Sequence, residues 1–314
     1  MHSRITLLAT VLAVAGCTRG SAAVADTSTT RDSAQTASAP SIDWARVDSA
    51  LGRTGAVQPG DVHRYGMPRS DLKVTAGGVS IKPAFALGSW IAMKAHGNGV
   101  VAMGDLVLTD AELPKVIAKL QEGGVEQTAI HHHIIGESPR VLYVHVHGHG
   151  DPIAVATAVR AALALTGTPA PSAPSAPAAP AAPPLGIDTT AITTALGAPG
   201  RVNGGVWQVS VPRAETITSD GFEIPPSMGL ATAINFQPTG GGKAAITGDF
   251  VMIGTEVNPV IKALGEHGIS VTSLHSHLLN ENPRLFFMHF WANDDAVTLA
   301  RGLKAALDLT NSRR

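Results

Sequence analysis

Between residues 41 and 168 the apolar positions change period several times, and each change marks an element. Residues 43–53 carry apolar side chains at helical spacing behind a Ser/Asp cap and predict a short helix. Residues 90–94 and 100–108 predict two strands around the turn His96-Gly97-Asn98-Gly99. A helix follows, with Thr109-Asp110 as its cap, Pro114 tolerated in its first turn and Gly123-Gly124 as its stop. Residues 125–135 and 140–147 predict a second pair of strands, joined by a turn containing Gly136 and Pro139. Asp151-Pro152 then opens an Ala-rich helix that ends near Leu165. Helix, then strand-strand-helix-strand-strand-helix, predicts an α+β fold: an antiparallel sheet with helices packed on one face.

The pattern occurs twice. Ile42-Asp43 matches Ile187-Asp188, Leu51-Gly52 matches Leu196-Gly197, Pro68-Arg69 matches Pro212-Arg213, and Gly104-Asp105 matches Gly248-Asp249. From Glu112 and Glu256 onward the offset is a constant 144 positions, through Leu120/Leu264 to Asp151/Asp295. A period this long is a domain duplication rather than a solenoid repeat. Residues 41–168 and 185–312 form the two copies, expected to pack as an intramolecular pseudo-dimer. Residues 169–184 alternate Pro and Ala and read as an extended linker.

Composition adds where such a chain works. It has 44% apolar residues and a formal net charge of -1, with no basic excess to favour nucleic acid. Residues 1–17 read as an export signal: a positive start, an apolar run over residues 5–15, then Val14-Ala15-Gly16-Cys17. The run is short of the ~20 residues a spanning helix needs. Its end resembles a bacterial lipobox, which implies lipidation of Cys17 and attachment to a membrane outside the cytoplasm. Residues 18–40, rich in Ser, Thr, Ala and Asp, read as a flexible tether. Cys17 is the single cysteine, so a mature domain has neither a disulfide nor a thiolate metal site.

The candidate chemistry is a histidine segment shared by both copies. The first has His131-His132-His133, Glu137, Pro139-Arg140 and His145; the second has His275-Ser276-His277, Glu281, Pro283-Arg284 and His289. Residues i and i+2 of a strand share a face, so His131 projects with His133, and His145 with His147. A turn centred on Ser138 sets His131 opposite His145 and His133 opposite Tyr143, with Glu137 folding back over them. The same rule sets His275 opposite His289 and His277 opposite Phe287. Each copy is thus expected to carry its own His/His/Glu/His cluster, the first richer because His132, His147 and His149 have no histidine counterpart.

Imidazoles with a carboxylate suit Zn, Fe, Mn or Cu as a divalent ion. The candidate ligands are His131, His133, Glu137, His145, His147, His275, His277, Glu281 and His289, with Glu137 also a candidate general base for a metal-bound water. Two other readings fit the same residues: a hydrogen-bonded polar seam between the domains, and a metal-free anion or sugar site. Arg140 and Arg284 have the opposite parity and read as salt-bridge partners. Arg69 and Arg213 read as anion binders or loop caps. Asp105 and Asp249 read first as turn caps and second as remote ligands. Thr239-Gly240-Gly241-Gly242-Lys243 lacks the spacing of a phosphate loop and reads as a hairpin turn.

The phrases Pro68-Arg69-Ser70-Asp71-Leu72-Lys73-Val74, Gly104-Asp105-Leu106-Val107-Leu108 and Asn282-Pro283-Arg284-Leu285-Phe286-Phe287-Met288-His289-Phe290-Trp291, with the stretch from Phe236 to Phe250, resemble the LppY/LpqO-type family of bacterial lipoproteins. The resemblance covers residues 42–310 apart from the linker. It implies an exported duplicated domain and no particular catalytic residue. The family pattern has Asn where this chain has His132. Two classes of function stay open: a metal-dependent enzyme such as a hydrolase, and a non-catalytic envelope module that binds a glycan, an anion, another small molecule or a protein partner.

Overall fold

The computed structural model describes residues 42–171 and 184–313. The segments read from sequence as an export signal ending at Cys17 and as a tether, and most of the Pro/Ala linker, lie outside the described residues.

The first repeat runs α1 (Trp44–Leu51), β1 (Ala56–Gln58), β2 (Val62–Pro68), β3 (Thr75–Ala76), β4 (Val79–Ser80), α2 (Pro83–Ala86), β5 (Gly88–His96), β6 (Gly99–Thr109), α3 (Leu113–Glu122), β7 (Glu126–His131), β8 (Val141–Gly150) and α4 (Pro152–Leu163). The second runs α5 (Thr189–Leu196), β9 (Gly200–Asn203), β10 (Val206–Pro212), β11 (Thr218–Ser219), β12 (Phe222–Glu223), a 3-10 turn (Pro226–Met228), β13 (Ala231–Gly240), β14 (Lys243–Ile253), α6 (Gly254–Glu266), β15 (Ser270–His275), β16 (Glu281–Asn282), β17 (Leu285–Asp295) and α7 (Ala296–Leu307). Each repeat is α+β, with a six-stranded antiparallel sheet in the order β1-β2-β5-β6-β8-β7 or β9-β10-β13-β14-β17-β15.

Local chemistry sets the helix ends. The Asp43 carboxylate accepts the Arg46 amide and Asp151 accepts that of Ala154, while Gly52 takes the left-handed conformation at φ 74° that stops α1. Thr109-Asp110 does not cap α3. Glu112 occupies that position and turns its carboxylate back onto the Thr109 amide at 2.8 Å. The Thr239–Lys243 segment is the β13–β14 hairpin turn.

Strand alternation splits each sheet into two buried faces. Ala102, Leu106, Leu108, Val144 and Val146 pack beneath α1, α3 and α4. The alternate residues Val101 and Met103 meet Phe222, Met228, Val251, Leu278 and Phe287 of the second repeat, and Val107 and Tyr143 meet Val206 and Ala245. Helices therefore cover one face of each sheet, and the other faces the sibling repeat. Paired hydrogen bonds mark the pseudo-two-fold: the Thr128 hydroxyl donates to the His277 carbonyl at 2.7 Å, and that of Thr272 to the His133 carbonyl at 2.6 Å.

Arg69 is 1% exposed and pins the loop after β2. It pairs with Asp71 at 2.9 Å and Glu112 at 2.8 Å and donates to the Val107 carbonyl. Arg213 repeats the arrangement with Glu215, Glu256 and the Val251 carbonyl. Both arginines act as structural clamps, with their guanidiniums taken up by carboxylates and a backbone carbonyl. Burial alone would raise the Glu112 carboxyl, but hydrogen bonds from Arg69 and from the Thr109 and Gly167 amides outweigh it and hold it below its ordinary value.

Removing one partner of a buried pair strands the other. Arg69→Met is expected to cost roughly 3–5 kcal/mol, read as a lower unfolding midpoint; an unchanged midpoint would refute the clamp. Because the folded-state pKa of Glu112 is depressed, its contribution is present above the unfolded value of 4.5 and is lost as pH falls through the folded one. Acid titration of wild type and Glu112→Gln should thus converge in stability below that window.

Candidate functional site at the repeat interface

The site grows out of a repeated Gly-Asp pair. On β6, Asp105 lies directly opposite His145 of β8; on β14, Asp249 lies opposite His289 of β17. Both members of each pair face the sibling repeat. The preceding glycines are required by space: a Cβ on Gly104 would sit 2.5 Å from the Trp90 carbonyl oxygen, and one on Gly248 would overlap the Ala233 carbonyl. The carbonyls of the same glycines orient the histidines. The Nδ1 of His145 lies 3.3 Å from the Gly104 oxygen, and that of His289 lies 2.6 Å from the Gly248 oxygen. With Nδ1–H donating, each Nε2 is left as a bare lone pair aimed inward.

The other histidines come from the ends of β7 and β15. Across the interface His131 Nε2 is 3.2 Å from His289 Nε2, and within the second repeat His275 Nε2 is 3.1 Å from His277 Nε2. The rings of His131 and His275 stack at 3.8 Å, as do His133 on His289 and His145 near His277. Asp105 reaches His133 Nε2 at 3.3 Å, and Asp249 reaches His277 Nε2 at 2.9 Å. Three sets have all their ligand atoms within 4.8 Å of one another: His131/His145/His275, His131/His133/His289 and Asp249/His275/His277. Two of the three cross the repeat boundary.

The electrostatics favour neutral imidazole. Burial, then the neighbouring histidines, push His133 and His145 well below their ordinary range; His289 falls similarly, and burial takes His131 down to about 4. Burial raises the Asp105 carboxyl, against the pull of His131, His277 and Arg64. Several buried atoms have no hydrogen-bond partner among the described residues: Asp105 Oδ1, His131 Nδ1, His133 Nε2, His145 Nε2, Asp249 Oδ1 and His275 Nδ1.

A family profile described as Domain of Unknown Function (DUF1259) matches residues 45–165 and again 190–309. The chain belongs to this family. No curated protein matches it. Among solved structures, the trimeric bacterial microcompartment shell protein PduB aligns at 14% identity over 82% of this chain and 89% of that one, with a TM-score of 0.22. EtuB from Clostridium kluyveri aligns at 10% identity over 86% and 93%, with a TM-score of 0.19. Likenesses this faint carry no argument.

Within these DUF1259 repeats the candidate ligands divide. His131, His133, His145, His275, His277 and His289 converge, but as one cluster built by both repeats, where the sequence led us to expect one in each. The pairing differs by two residues: His131 lies opposite Tyr143 and His275 opposite Phe287, because the hairpins centre one residue earlier than expected, on Glu137 and Glu281. Slips by two preserve the face, so the side chains still meet.

Glu137 and Glu281 do not join them. Their carboxylates turn onto the amides of Val141 and Leu285, at 3.4 and 2.9 Å, and Glu281 also binds Arg284. His147 lies one pleat farther along β8, edge-on to His149, and His132 points to the Val141 carbonyl. The first repeat is therefore no richer at the site: each supplies three histidines. Asp105 and Asp249, read first as turn caps, are the carboxylates at the cluster. Their signal was available in the Gly-Asp pair repeated at the histidine offset.

Gly104→Ala is expected to destabilise the fold by about 1–3 kcal/mol, the usual cost of overpacking. Gly265→Ala, within α6 and facing open space, should instead be neutral or stabilising. Equal denaturation midpoints for the two variants would contradict the close approach at Gly104.

Proposed function

We propose that the protein is an exported lipoprotein of the LppY/LpqO type, anchored through Cys17, whose two repeats together hold a divalent transition metal. The reading rests on one observation: buried, neutral imidazole nitrogens of both repeats converge with two carboxylates. Two nitrogens bound to one ion at ~2.0–2.1 Å stand roughly 3.0–3.4 Å apart, and the closest pairs here are 3.1 and 3.2 Å apart. Nitrogen and carboxylate donors without thiolate suit Zn²⁺, Fe²⁺, Mn²⁺ or Cu²⁺. A metal held there would supply Lewis acidity to a ligand entering from the adjoining cleft. Export and the anchor are supported by the lipobox-like start of the chain; among the described residues no helix is long and apolar enough to cross a membrane.

The test is elemental analysis of untagged protein purified with Zn, Fe, Mn or Cu supplementation. His131→Ala and His289→Ala, one from each repeat, should each abolish most of the bound metal, because the ligand set is shared. His147→Ala and Glu137→Gln should retain it. Metal-free wild type under every supplementation, with a melting temperature indifferent to added metal, would sink the proposal.

A further inference from the structure

A cavity of about 840 Å³ opens beside the cluster, with Asp105, His133, His145, Asp249, His277 and His289 in its lining. Its two sides differ in the sheet positions next to the carboxylates. In the row through Asp105 the neighbours are Trp90 and Gly66; in the row through Asp249 they are Ala233 and Ser210. The floor is pseudo-symmetric and the walls are not. Arg64 on β2 corresponds to Gln208 on β10, and Trp90 to Ala233.

The difference concentrates positive charge. The Arg64 guanidinium carbon lies over the Trp90 ring, 3.8 Å from its centroid, and the side chain donates one hydrogen bond to the Ser227 carbonyl at 3.2 Å. Arg201, on β9, lines the same cavity; burial takes the Arg64 guanidinium down to about 10, with the Asp105 carboxylate pulling it up and Arg201 pushing it down. Neither arginine has an ion-pair partner among the described residues. Gln208, by contrast, is consumed by structure: its amide donates to the Ala84 carbonyl at 2.8 Å. Two unpaired guanidiniums that repel each other, one oriented by an indole face, form a receptor for oxyanions. The two guanidiniums come from different repeats, Arg64 from β2 and Arg201 from β9, where it pairs across the strands with Gln208, so a ligand gripped there spans both walls above the histidine and aspartate floor.

We propose that this cleft binds a small oxyanion ligand, a phosphate or carboxylate compound, held by Arg64 and Arg201 at one end and presented to the cluster at the other. The metal reading enters only through the floor of the cleft; the arginine grip stands apart from it.

The experiment is calorimetric titration of the full chain with inorganic phosphate and, separately, with malonate, before and after loading with Zn²⁺. Arg64→Gln installs the residue the second repeat already carries; Arg201→Gln, on an exposed edge strand, serves if the first variant does not fold. Each is expected to weaken the better anion at least tenfold, with or without metal. Tighter phosphate binding assigns a phosphate ligand, and tighter malonate binding a carboxylate. Arginine-dependent anion binding in a protein that takes up no metal would leave this proposal standing and remove the metal. Absence of millimolar binding by either anion, or affinities unchanged in both variants, would overturn it.

Discussion

Six imidazoles and two carboxylates buried between two sheets must find partners other than bulk water, and this requirement organises the molecule. An unsatisfied buried polar group costs about 1–3 kcal/mol, against a whole-domain stability of roughly 5–15 kcal/mol. Six such atoms in the cluster would consume a large part of that margin. Some of the demand is met by the backbone: the carbonyls of Gly104, Gly248 and Gly229 take up the Nδ1 positions of His145, His289 and His277. The Nε2 atoms of His131 and His289, and of His275 and His277, meet at 3.2 and 3.1 Å. Burial also favours the neutral form of the His131, His133, His145, His275 and His289 rings, since several adjacent imidazolium ions in a low-dielectric seam would repel one another. The arrangement suits a cation better than it suits a hydrophobic core.

The duplication answers a geometric problem. A six-stranded sheet with apolar residues on both faces cannot leave either one in water. Helices cover the first face within each repeat, and the sibling sheet covers the second. The result is a covalent version of an isologous dimer, in which each contact recurs with the roles exchanged. The crossed Thr128 and Thr272 hydrogen bonds hold the loops that carry His277 and His133. A cluster to which each repeat contributes three histidines, with two of its three ligand sets crossing the boundary, then follows from the packing.

Much of this was readable in the sequence. The strand–strand–helix order, the duplication and the shared face of the six histidines all followed from period, offset and parity. Parity survived even though the pairing was two residues out, because the strand period is 2 and an even slip leaves every side chain on its face. Strands β1 and β2 were missed because Val62 packs toward the second repeat while Tyr65 and Met67 pack beneath the helices, so no alternation of polar and apolar residues marks the segment. Glu137 was misplaced because proximity in sequence was taken for proximity in space; a nearer acceptor role, at the Val141 amide, claims it. The merging of two clusters into one depends on how two sheets face each other, which no local pattern encodes.

The comparison of the two copies shows where the chain is constrained and where it is free. At the floor and its supports they agree: His131 with His275, His133 with His277, His145 with His289, Gly104-Asp105 with Gly248-Asp249, and Arg69 with Arg213. Around the cleft they diverge, with Arg64 against Gln208, Gly66 against Ser210 and Trp90 against Ala233. A shared centre explains the contrast. Any donor lost from either copy damages a set to which both contribute, whereas a wall residue touches only its own side of the cavity. Symmetric walls would accept one ligand in two opposed poses; unequal walls select one. Duplication thus preserves a two-fold binding floor while allowing the space above it to become directional.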